Sequence, residues 1–420
     1  MLVEFSVSNF RSIRERQILS MVPGASKRVR SRFSHPTTNK QLPFVLKYAG
    51  LYGANSAGKS NIVEAFRTFR TFVARSQNIE ETAESHFPVF RLDPSCRNTP
   101  TEMEIVFLKD GTLYQYGFSI LNNSVTGEWL FATPPGGRQQ RWIDRGADIA
   151  THNHIYINPS VTGERKVWAE STRDDALALT TAVSLNAKSL QAPFSWITEH
   201  IKVISEPTQM RGVATAALCE GRSKIRVINI LRECGIAVQD IIIREEEVNY
   251  LSLFSDSFLK MAPPEFGKPV KRVFFVYNDT FGRPVEMSLD EESDGTKVIF
   301  NLIGPLLDVT STSRVLIADE LHRSLHPHAF KYLLERFFLG ETSTKGQLIF
   351  TTHESFVLSE NLTHPDQIYM VGKDRIGGTV LSPLSDFRLR SDEAVRAGYL
   401  AGRYGGLPQR HLPLDEPSNG

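Results

Sequence analysis

The sequence carries almost no net charge, and cysteine is scarce. Lys and Arg total 48 against 47 Asp and Glu, which leaves a formal charge of +1. This balance lacks the overall basicity typical of many nucleic-acid-binding proteins. The three cysteines, Cys96, Cys219 and Cys234, lack the spacing of a metal site or a CxxC motif. A secreted, disulfide-built fold is therefore disfavoured, and we expect reduced cysteines in a cytoplasmic protein.

Long apolar runs and long repeats are also missing. No stretch approaches the roughly 20 apolar residues that a transmembrane helix requires. Residues 1–9 alternate apolar and polar side chains as a β-strand does, and they lack the charged and apolar regions of a signal peptide. No heptad pattern extends over three or more turns. We therefore expect no membrane segment, no leader peptide and no long coiled-coil arm.

A glycine-rich loop is the most informative feature that is present. Residues 53–60 read GANSAGKS, which matches the phosphate-loop pattern G-x-x-x-x-G-K-[ST] at every fixed position. An apolar, strand-like run precedes the loop and a helical pattern follows it, which makes a chance glycine-rich turn a weak alternative. Backbone N–H groups of such a loop surround phosphate at the positive end of the following helix. The predicted nucleotide-binding residues here are Gly53, Asn55, Gly58, Lys59, Ser60 and Asn61.

Specific chemistry is expected of two of these side chains and of two later acids. Lys59 would reach the β- and γ-phosphates, and Ser60 would bind Mg²⁺. The apolar segment 315–318 predicts a buried strand, and Asp319 and Glu320 follow it directly. Asp319 would hold Mg²⁺ and Glu320 would orient or deprotonate the attacking water. The alternative is a pair of exposed acids that cap the next helix.

Two further segments are candidates for contact with phosphate. His353 follows another apolar strand, at the strand end where α/β proteins place ligands. It would sense the γ-phosphate and polarise water, although a lone histidine is more often structural. Ser293, Gly295 and Thr296 precede a helix, so their hydroxyl and N–H groups could bind an anion. Taken alone, this segment favours an ordinary helix N-cap.

Apolar strands alternate with helical patterns around these motifs, which predicts an α/β fold with a parallel-sheet core. We expect a turn-rich segment over residues 23–43, with five cations and no acid among residues 24–40. The remaining predictions are an opening strand at 1–9, a helix at 59–77, a hairpin at 103–120, a helical segment at 173–203, a helix at 223–234, strands at 238–254 and 270–277, a helix at 294–309, a helix at 327–338 and a strand at 347–350.

The order of the four motifs resembles the ATP-binding-cassette (ABC) ATPases of the SMC/RecF branch. This resemblance implies a P-loop NTPase fold of ABC-ATPase type with a β-rich N-terminal subdomain and an inserted helical lobe. It also implies a head-to-tail homodimer that encloses two ATP molecules with Mg²⁺. Residues 293–296 would act as the signature, which contacts ATP bound to the opposite subunit. Asp319 and Glu320 would form the Walker B motif, His353 would be the switch histidine, and Arg11 would approach the nucleotide.

The sequence is also similar to compact bacterial AAA-family ATPases of anti-phage defence. These are related to the ATPase half of OLD-family nucleases and include the RloA and PARIS-type ATPases. The segments that carry this resemblance are 292–296, 319–327, 347–353 and 399–405. No convincing Q-loop glutamine is present, and residues 87–91 match only by position. Asp319 is followed by Glu-Leu-His instead of Glu-Pro, which argues against a membrane exporter subunit.

The motifs divide the chain into four expected parts. These are an N-terminal ATPase lobe with the P-loop (1–130), an inserted lobe of helices and strands (131–290), a lobe with the signature, Walker B and switch histidine (291–385), and a C-terminal tail (386–420). The tail reads equally well as a docking segment or as a packed helix. The 67 residues after His353 are too few for an added nuclease domain, so we expect none.

Two functions follow from these observations. The first is an ATP-hydrolysing dimer that regulates a separate effector, a nuclease by preference, in anti-phage defence. The second is a RecF-like DNA-repair ATPase that clamps DNA directly, for which the basic segment 27–40 is the support. A GTPase is disfavoured because no Asn-Lys-x-Asp segment occurs.

Overall fold

The structure is a computed structural model of the whole chain. It describes residues 1–77, 87–146, 155–207, 210, 212–246, 270–340, 345–359, 361–387 and 395–404. Most of the expected C-terminal tail, the end of the 399–405 motif and the second half of the predicted strand 238–254 therefore lie outside the described residues. Within them, no helix is long and apolar enough to cross a membrane.

The elements follow in chain order. The strands are β1 Leu2–Ser8, β2 Gln17–Ser20, β3 Ser34–Pro36, β4 Phe44–Leu46, β5 Tyr48–Tyr52, β6 Thr101–Lys109, β7 Thr112–Leu121, β8 Ser124–Thr133, β9 Gln140–Arg145, β10 Ile155–Ile157, β11 Ile201–Ile204, β12 Asp240–Glu246, β13 Val270–Asn278, β14 Pro284–Ser288, β15 Val315–Ala318, β16 Gln347–Thr352, β17 Ile368–Lys373 and β18 Thr379–Pro383. The α-helices are α1 Lys27–Arg32, α2 Lys59–Arg75, α3 Arg165–Glu170, α4 Ala178–Ser184, α5 Gln191–Ser195, α6 Val213–Cys219, α7 Lys224–Glu233, α8 Asp294–Thr312, α9 Pro327–Leu334 and α10 Val395–Leu400.

The chain forms two compact units. The first contains Met1–Ser205, Thr310–Leu321 and Glu341–Gly420, and the second contains Glu206–Val309 and His322–Gly340. The four parts expected from the sequence describe the order of the motifs, whereas these units describe packing. The four-part division stays a prediction.

A six-stranded sheet forms the α/β core of the first unit, in the order β11-β15-β16-β5-β17-β18. The first five strands are parallel, and only β18 runs antiparallel to its neighbour. Its central strands β5, β15 and β16 are buried at every position. Continuous apolar burial is characteristic of parallel strands covered on both faces, which the sequence pattern predicts.

An antiparallel sheet of seven strands, β10-β9-β8-β7-β6-β1-β2, accompanies this core in the same unit. Helix α2 packs on it through aromatic stacking, with the Phe66 ring 3.8 Å from Phe5 and the Phe69 ring 5.2 Å from Phe118. The same helix contacts β11 and β15 of the parallel sheet. Because α2 begins at Lys59 and is held on both sides, the end of the P-loop has a fixed support.

The second unit contains the antiparallel sheet β12-β13-β14, the helices α6, α7 and α9, and α8 as far as Val309. Helix α8 packs on α6 within this unit, where the Thr215 hydroxyl donates to the Phe300 carbonyl at 2.6 Å and accepts from Gly304 N–H at 2.8 Å. The described part of this unit therefore combines helices and strands, and the expected bounds of the inserted lobe stay a prediction.

Two segments differ from the sequence-based predictions. Residues 173–203 form no continuous helix but α4, α5, a π-helical turn at Trp196–His200 and strand β11. Asn186 adopts a left-handed φ of 65° between α4 and the next turn, and β-branched residues dominate β11. The segment 23–43 contains α1, because Val29 is fully buried and anchors one helical face.

Candidate nucleotide-binding site

Three strands of the parallel sheet bring the predicted motifs to one edge. Strand β16 lies between β15 and β5, with Ala318 paired to Phe350 and Tyr52 paired to Thr352. Since all three strands are parallel, the loops that follow them leave from the same edge of the sheet. The P-loop follows β5, the two acids follow β15, and His353 follows β16. This is the edge at which open α/β sheets bind ligands.

The P-loop backbone adopts a conformation that requires its glycines. Gly58 has φ of +106°, a region that side chains with a Cβ rarely occupy. A Cβ at Gly53 would collide with the backbone carbonyl of Val371 in β17. The loop therefore fits its surroundings only with glycine at both ends, as the phosphate-loop pattern predicts.

Lys59 folds back into the loop that precedes it. Its Nζ donates to the carbonyls of Gly53 at 2.7 Å and Ala54 at 3.0 Å, and the residue is 6% exposed. Burial lowers the pKa of Lys59, and the carboxylates of Glu320 and Asp319 oppose that shift. The ammonium thus lies within the electrostatic reach of both acids, where phosphate oxygens would replace the two carbonyls as its partners.

One threonine connects the two acids. The Thr351 hydroxyl donates to Oδ1 of Asp319 at 2.5 Å and accepts from the backbone N–H of Glu320 at 2.7 Å. The N–H of Asp319 donates to the Ile204 carbonyl of β11 at 2.8 Å. Glu320 has φ of +44°, a left-handed conformation that costs a residue with a Cβ about 1–2 kcal/mol. The contacts of Thr351 and Asp319 hold Glu320 in that conformation.

His353 is exposed at the end of β16, and the following Glu354 N–H donates to the Thr352 hydroxyl at 3.0 Å. Its imidazole lies on the same edge as the acids, so its predicted role as a γ-phosphate sensor stays a prediction consistent with its position. Ser60 is exposed in the first turn of α2. The Ser60 hydroxyl and the Asp319 carboxylate are both hard oxygen donors, which is the ligand chemistry that Mg²⁺ prefers.

Arg11 lies beside the start of α2. Its backbone N–H donates to the Pro88 carbonyl at 2.6 Å, and its guanidinium contacts Glu64 at 3.4 Å. Asn61 Nδ2 donates to the Ser12 hydroxyl at 2.6 Å. A cavity of about 420 Å³ opens here and is lined by Arg11, Ser12, Asn61, Pro88, Val89, Phe90, Arg91, Leu92, Lys373 and Gly377. Most of the segment matched to the Q-loop by position therefore borders the P-loop helix.

The predicted signature belongs to the second unit and forms a helix start. The exposed Ser293 hydroxyl accepts from Thr296 N–H at 3.2 Å and contacts the Thr296 hydroxyl at 3.0 Å. A Cβ at Gly295 would lie 2.8 Å from the Ser324 carbonyl, so that backbone approach requires glycine. This is N-cap geometry, the alternative that the segment favours when taken alone. Contact with nucleotide stays a prediction.

Sequence reasoning missed Thr351 as an orienting residue and missed Lys373 and Thr379 entirely. A threonine before the histidine carried no motif of its own. Lys373 lines the cavity beside the P-loop helix, and the Thr379 hydroxyl donates to the Ala57 carbonyl of the P-loop. Both residues lie in the β17–β18 hairpin, which no sequence pattern connects to the P-loop. All three cysteines are free, as expected from their spacing.

Comparisons with known proteins agree with this geometry. A family model described as "AAA domain, putative AbiEii toxin, Type IV TA system" matches residues 49–160 and 230–359, more than half of the chain. No curated protein matches the sequence significantly.

Solved structures add two distant likenesses. One is the SMC head domain from Thermotoga maritima, with 14% identity, a TM-score of 0.41 and coverage of 91% of this chain and 98% of that one. The other is the recombination mediator protein RecF with ATP, with 14% identity, a TM-score of 0.31 and coverage of 90% and 97%.

The sheet order, the P-loop before α2 and the acids after β15 give a P-loop NTPase fold of ABC type, which confirms the predicted fold class. The family match covers both the P-loop and the Asp-Glu segment. The chain belongs to the family of AAA domains described as putative AbiEii toxin, Type IV TA system.

Proposed function

We propose that this protein is an ATP-hydrolysing ATPase that works as a nucleotide-gated dimer. The observation that carries the proposal is the convergence of Lys59, Asp319 and Glu320 at one sheet edge, with Thr351 bridging the two acids. Phosphoryl transfer depends on positioning and charge stabilisation, and these side chains supply both.

Each residue has a defined part in the proposed reaction. Lys59 binds the β- and γ-phosphates. Ser60 and Asp319 would hold Mg²⁺, which would neutralise charge on the phosphate oxygens. Glu320 accepts a proton from the attacking water or orients that water. His353 donates a hydrogen bond toward the γ-phosphate. Arg11, Asn55 and Asn61 contact the remaining nucleotide atoms.

A second copy completes the site in this proposal. Ser293, Gly295 and Thr296 form an exposed helix start with hydroxyl and N–H groups, which suits the negative charge of a triphosphate. A head-to-tail pair places each such segment over the P-loop of its partner. ATP then stabilises the closed dimer, and hydrolysis releases it.

The closure is proposed to regulate a separate effector, a nuclease by preference, in anti-phage defence. The family description names a toxin of a toxin–antitoxin system, which fits control of a damaging activity. In this proposal, the output activity belongs to that separate effector.

The direct test is the Glu320→Gln variant, which keeps the size of the side chain and removes its basicity. We expect normal ATP binding, turnover reduced at least about a hundredfold, and an ATP-dependent dimer that persists. Turnover is measured by phosphate release and mass by light scattering. Lys59→Ala is the matched control and should lose ATP binding. Unchanged turnover in Glu320→Gln would remove Glu320 from the mechanism.

A DNA clamp is the second candidate, because Lys27, Arg28, Arg30 and Arg32 are exposed on α1. The same turnover assay distinguishes the two candidates. Double-stranded DNA that accelerates hydrolysis by the isolated protein, with an effect that salt abolishes, supports the clamp. DNA without effect supports control of a separate effector.

A further inference from the structure

The β17–β18 hairpin reaches the P-loop through one buried threonine. Thr379 is the first residue of β18 and is 1% exposed. Its hydroxyl donates to the Ala57 carbonyl inside the P-loop at 3.0 Å, and its backbone N–H donates to the Ser12 carbonyl at 2.7 Å. One residue thus joins the hairpin, the loop after β1 and the P-loop.

The hydrogen bonds around Thr379 have only one consistent direction. A carbonyl oxygen accepts only, so the single hydroxyl proton of Thr379 belongs to the bond with Ala57. Its oxygen accepts from Lys373 Nζ at 3.2 Å and from the Ser12 hydroxyl at 2.7 Å. Ser12 in turn accepts from Asn61 Nδ2 at 2.6 Å. Each group thus donates to the next one, from the Asn61 amide on α2 through the Ser12 and Thr379 hydroxyls to the Ala57 carbonyl in the P-loop.

Packing supports the same connection. A Cβ at Gly58 would overlap the Thr379 hydroxyl, so the threonine occupies the space that this glycine leaves open. Lys373, Ser12 and Asn61 also line the 420 Å³ cavity beside the P-loop helix. The hairpin is therefore part of the wall of the candidate nucleotide site.

We infer that Thr379 is a positioning residue of this site. Its hydroxyl holds the Ala57 carbonyl, so that the neighbouring backbone N–H groups of the P-loop stay directed toward phosphate. Ser12 and Lys373 orient the hydroxyl and complete the connection to Asn61. This inference rests on the proposed ATP-binding function, and it assigns the role to the hydroxyl of Thr379 rather than to the bulk of its side chain.

The test uses Thr379→Val, which keeps the shape and removes the hydroxyl, and Thr379→Ser, which restores it. Binding of ATP and of inorganic tripolyphosphate is measured calorimetrically with Mg²⁺ on the full-length protein. We expect Thr379→Val to bind both ligands about tenfold more weakly, because a buried carbonyl loses its donor. Thr379→Ser should bind both within about twofold of the wild type.

Thr363→Val is the matched control, since the buried Thr363 hydroxyl donates to the Val357 carbonyl at 2.8 Å. It should lower the melting temperature without changing affinity. Ser12→Ala breaks the same chain of hydrogen bonds outside the hairpin and should also weaken both ligands.

Three results would overturn the inference. They are unchanged affinity in Thr379→Val, no recovery in Thr379→Ser, or weakened binding of ATP with unchanged binding of tripolyphosphate. Failure of the proposed function would look different, because the wild type itself would bind neither ligand, or Lys59→Ala would bind both normally. If Thr379→Val does not fold, the Ser12→Ala affinities decide between these outcomes.

Discussion

At the scale of single residues, the candidate site depends on side chains that belong to no motif. Asp319 and Glu320 were predicted from an apolar strand that ends in two acids, a local pattern. Thr351 contacts both of them but lies 31 residues or more away in the sequence. Its position follows from the pairing of β15 with β16, and no single-sequence pattern specifies that register.

Thr351→Val should impair turnover more than nucleotide binding. The variant removes the donor to the Asp319 carboxylate and the acceptor for the Glu320 N–H, two bonds that orient the proposed Mg²⁺ ligand and base. We expect turnover to fall about tenfold to a hundredfold and half-maximal activity to require more Mg²⁺. Steady-state rates over a Mg²⁺ titration measure both effects.

Thr351→Ser is the control for this change, because it keeps the hydroxyl and should retain most of the activity. A Thr351→Val enzyme with the wild-type Mg²⁺ dependence would contradict the orienting role. In that case, Thr351 would be a buried residue of β16 without a role in orienting the two acids.

At the scale of elements, the sequence predicted those that carry either an apolar stripe or a continuous apolar run. Helix α2, the hairpin β6–β7 and strands β15 and β16 were confirmed, since each carries a distinct apolar pattern. The prediction of a helical segment at 173–203 was wrong, because the apolar residues of this segment are buried in several short helices and then in a strand. Tertiary packing decides such segments, and spacing alone cannot.

The short strand pair β3–β4 supplies a pH-dependent contact. His35 is buried in β3, and its Nε2–H donates to the Gly346 carbonyl just before β16 at 2.9 Å. Burial lowers the pKa of His35 to about 4, from 6.5, although the Gly346 hydrogen bond opposes this. The unfolded chain therefore takes up a proton more readily than the folded one.

The contribution of His35 to the free energy of unfolding should consequently be complete above pH 6.5. It should fall as the pH drops from 6.5 toward 4. The loss reaches about 3 kcal/mol for this group. His35→Gln, which keeps a donor but does not titrate in this range, should remove that part of the pH dependence. Urea unfolding at pH 7.5 and pH 5 compares the two proteins, and an equal drop in both would exclude His35 as the source.

At the scale of the whole molecule, the proposed nucleotide-binding motifs belong to two different compact units of the chain. The P-loop, both acids and His353 belong to the first unit, and the segment 293–296 belongs to the second. From the order of these motifs, the sequence predicted that they build one ATP site, and it placed 293–296, both acids and His353 together in the expected part 291–385, a division that stays a prediction. It did not predict the side-chain connections between the P-loop and the β17–β18 hairpin, since these join residues brought together only by the fold.

Mixing two inactive variants tests the shared site. Lys59→Ala lacks a working P-loop, and Ser293→Arg places a bulky cation in the signature. In a head-to-tail dimer, each mixed pair has one site with an intact P-loop and an intact signature. Turnover should return to about a quarter of the wild-type value, because half of the pairs are mixed and half of their sites are intact.

Each variant alone should stay inactive at the same total concentration. A mixture that also stays inactive would contradict the shared site. Activity of Ser293→Arg alone would exclude Ser293 from the nucleotide contact.

The order of strands in the parallel sheet has a consequence for how the protein is made. Strand β5 leads into the P-loop, but its two neighbours are β16 and β17, which lie far toward the C-terminus. On the ribosome, β5 therefore emerges with both edges unpaired and stays so until Gln347–Lys373 has been synthesised. Such distant pairing slows folding and exposes apolar strands for longer. A nascent chain therefore cannot assemble its phosphate-binding loop early, and nucleotide binding has to wait until β16 and β17 have been synthesised.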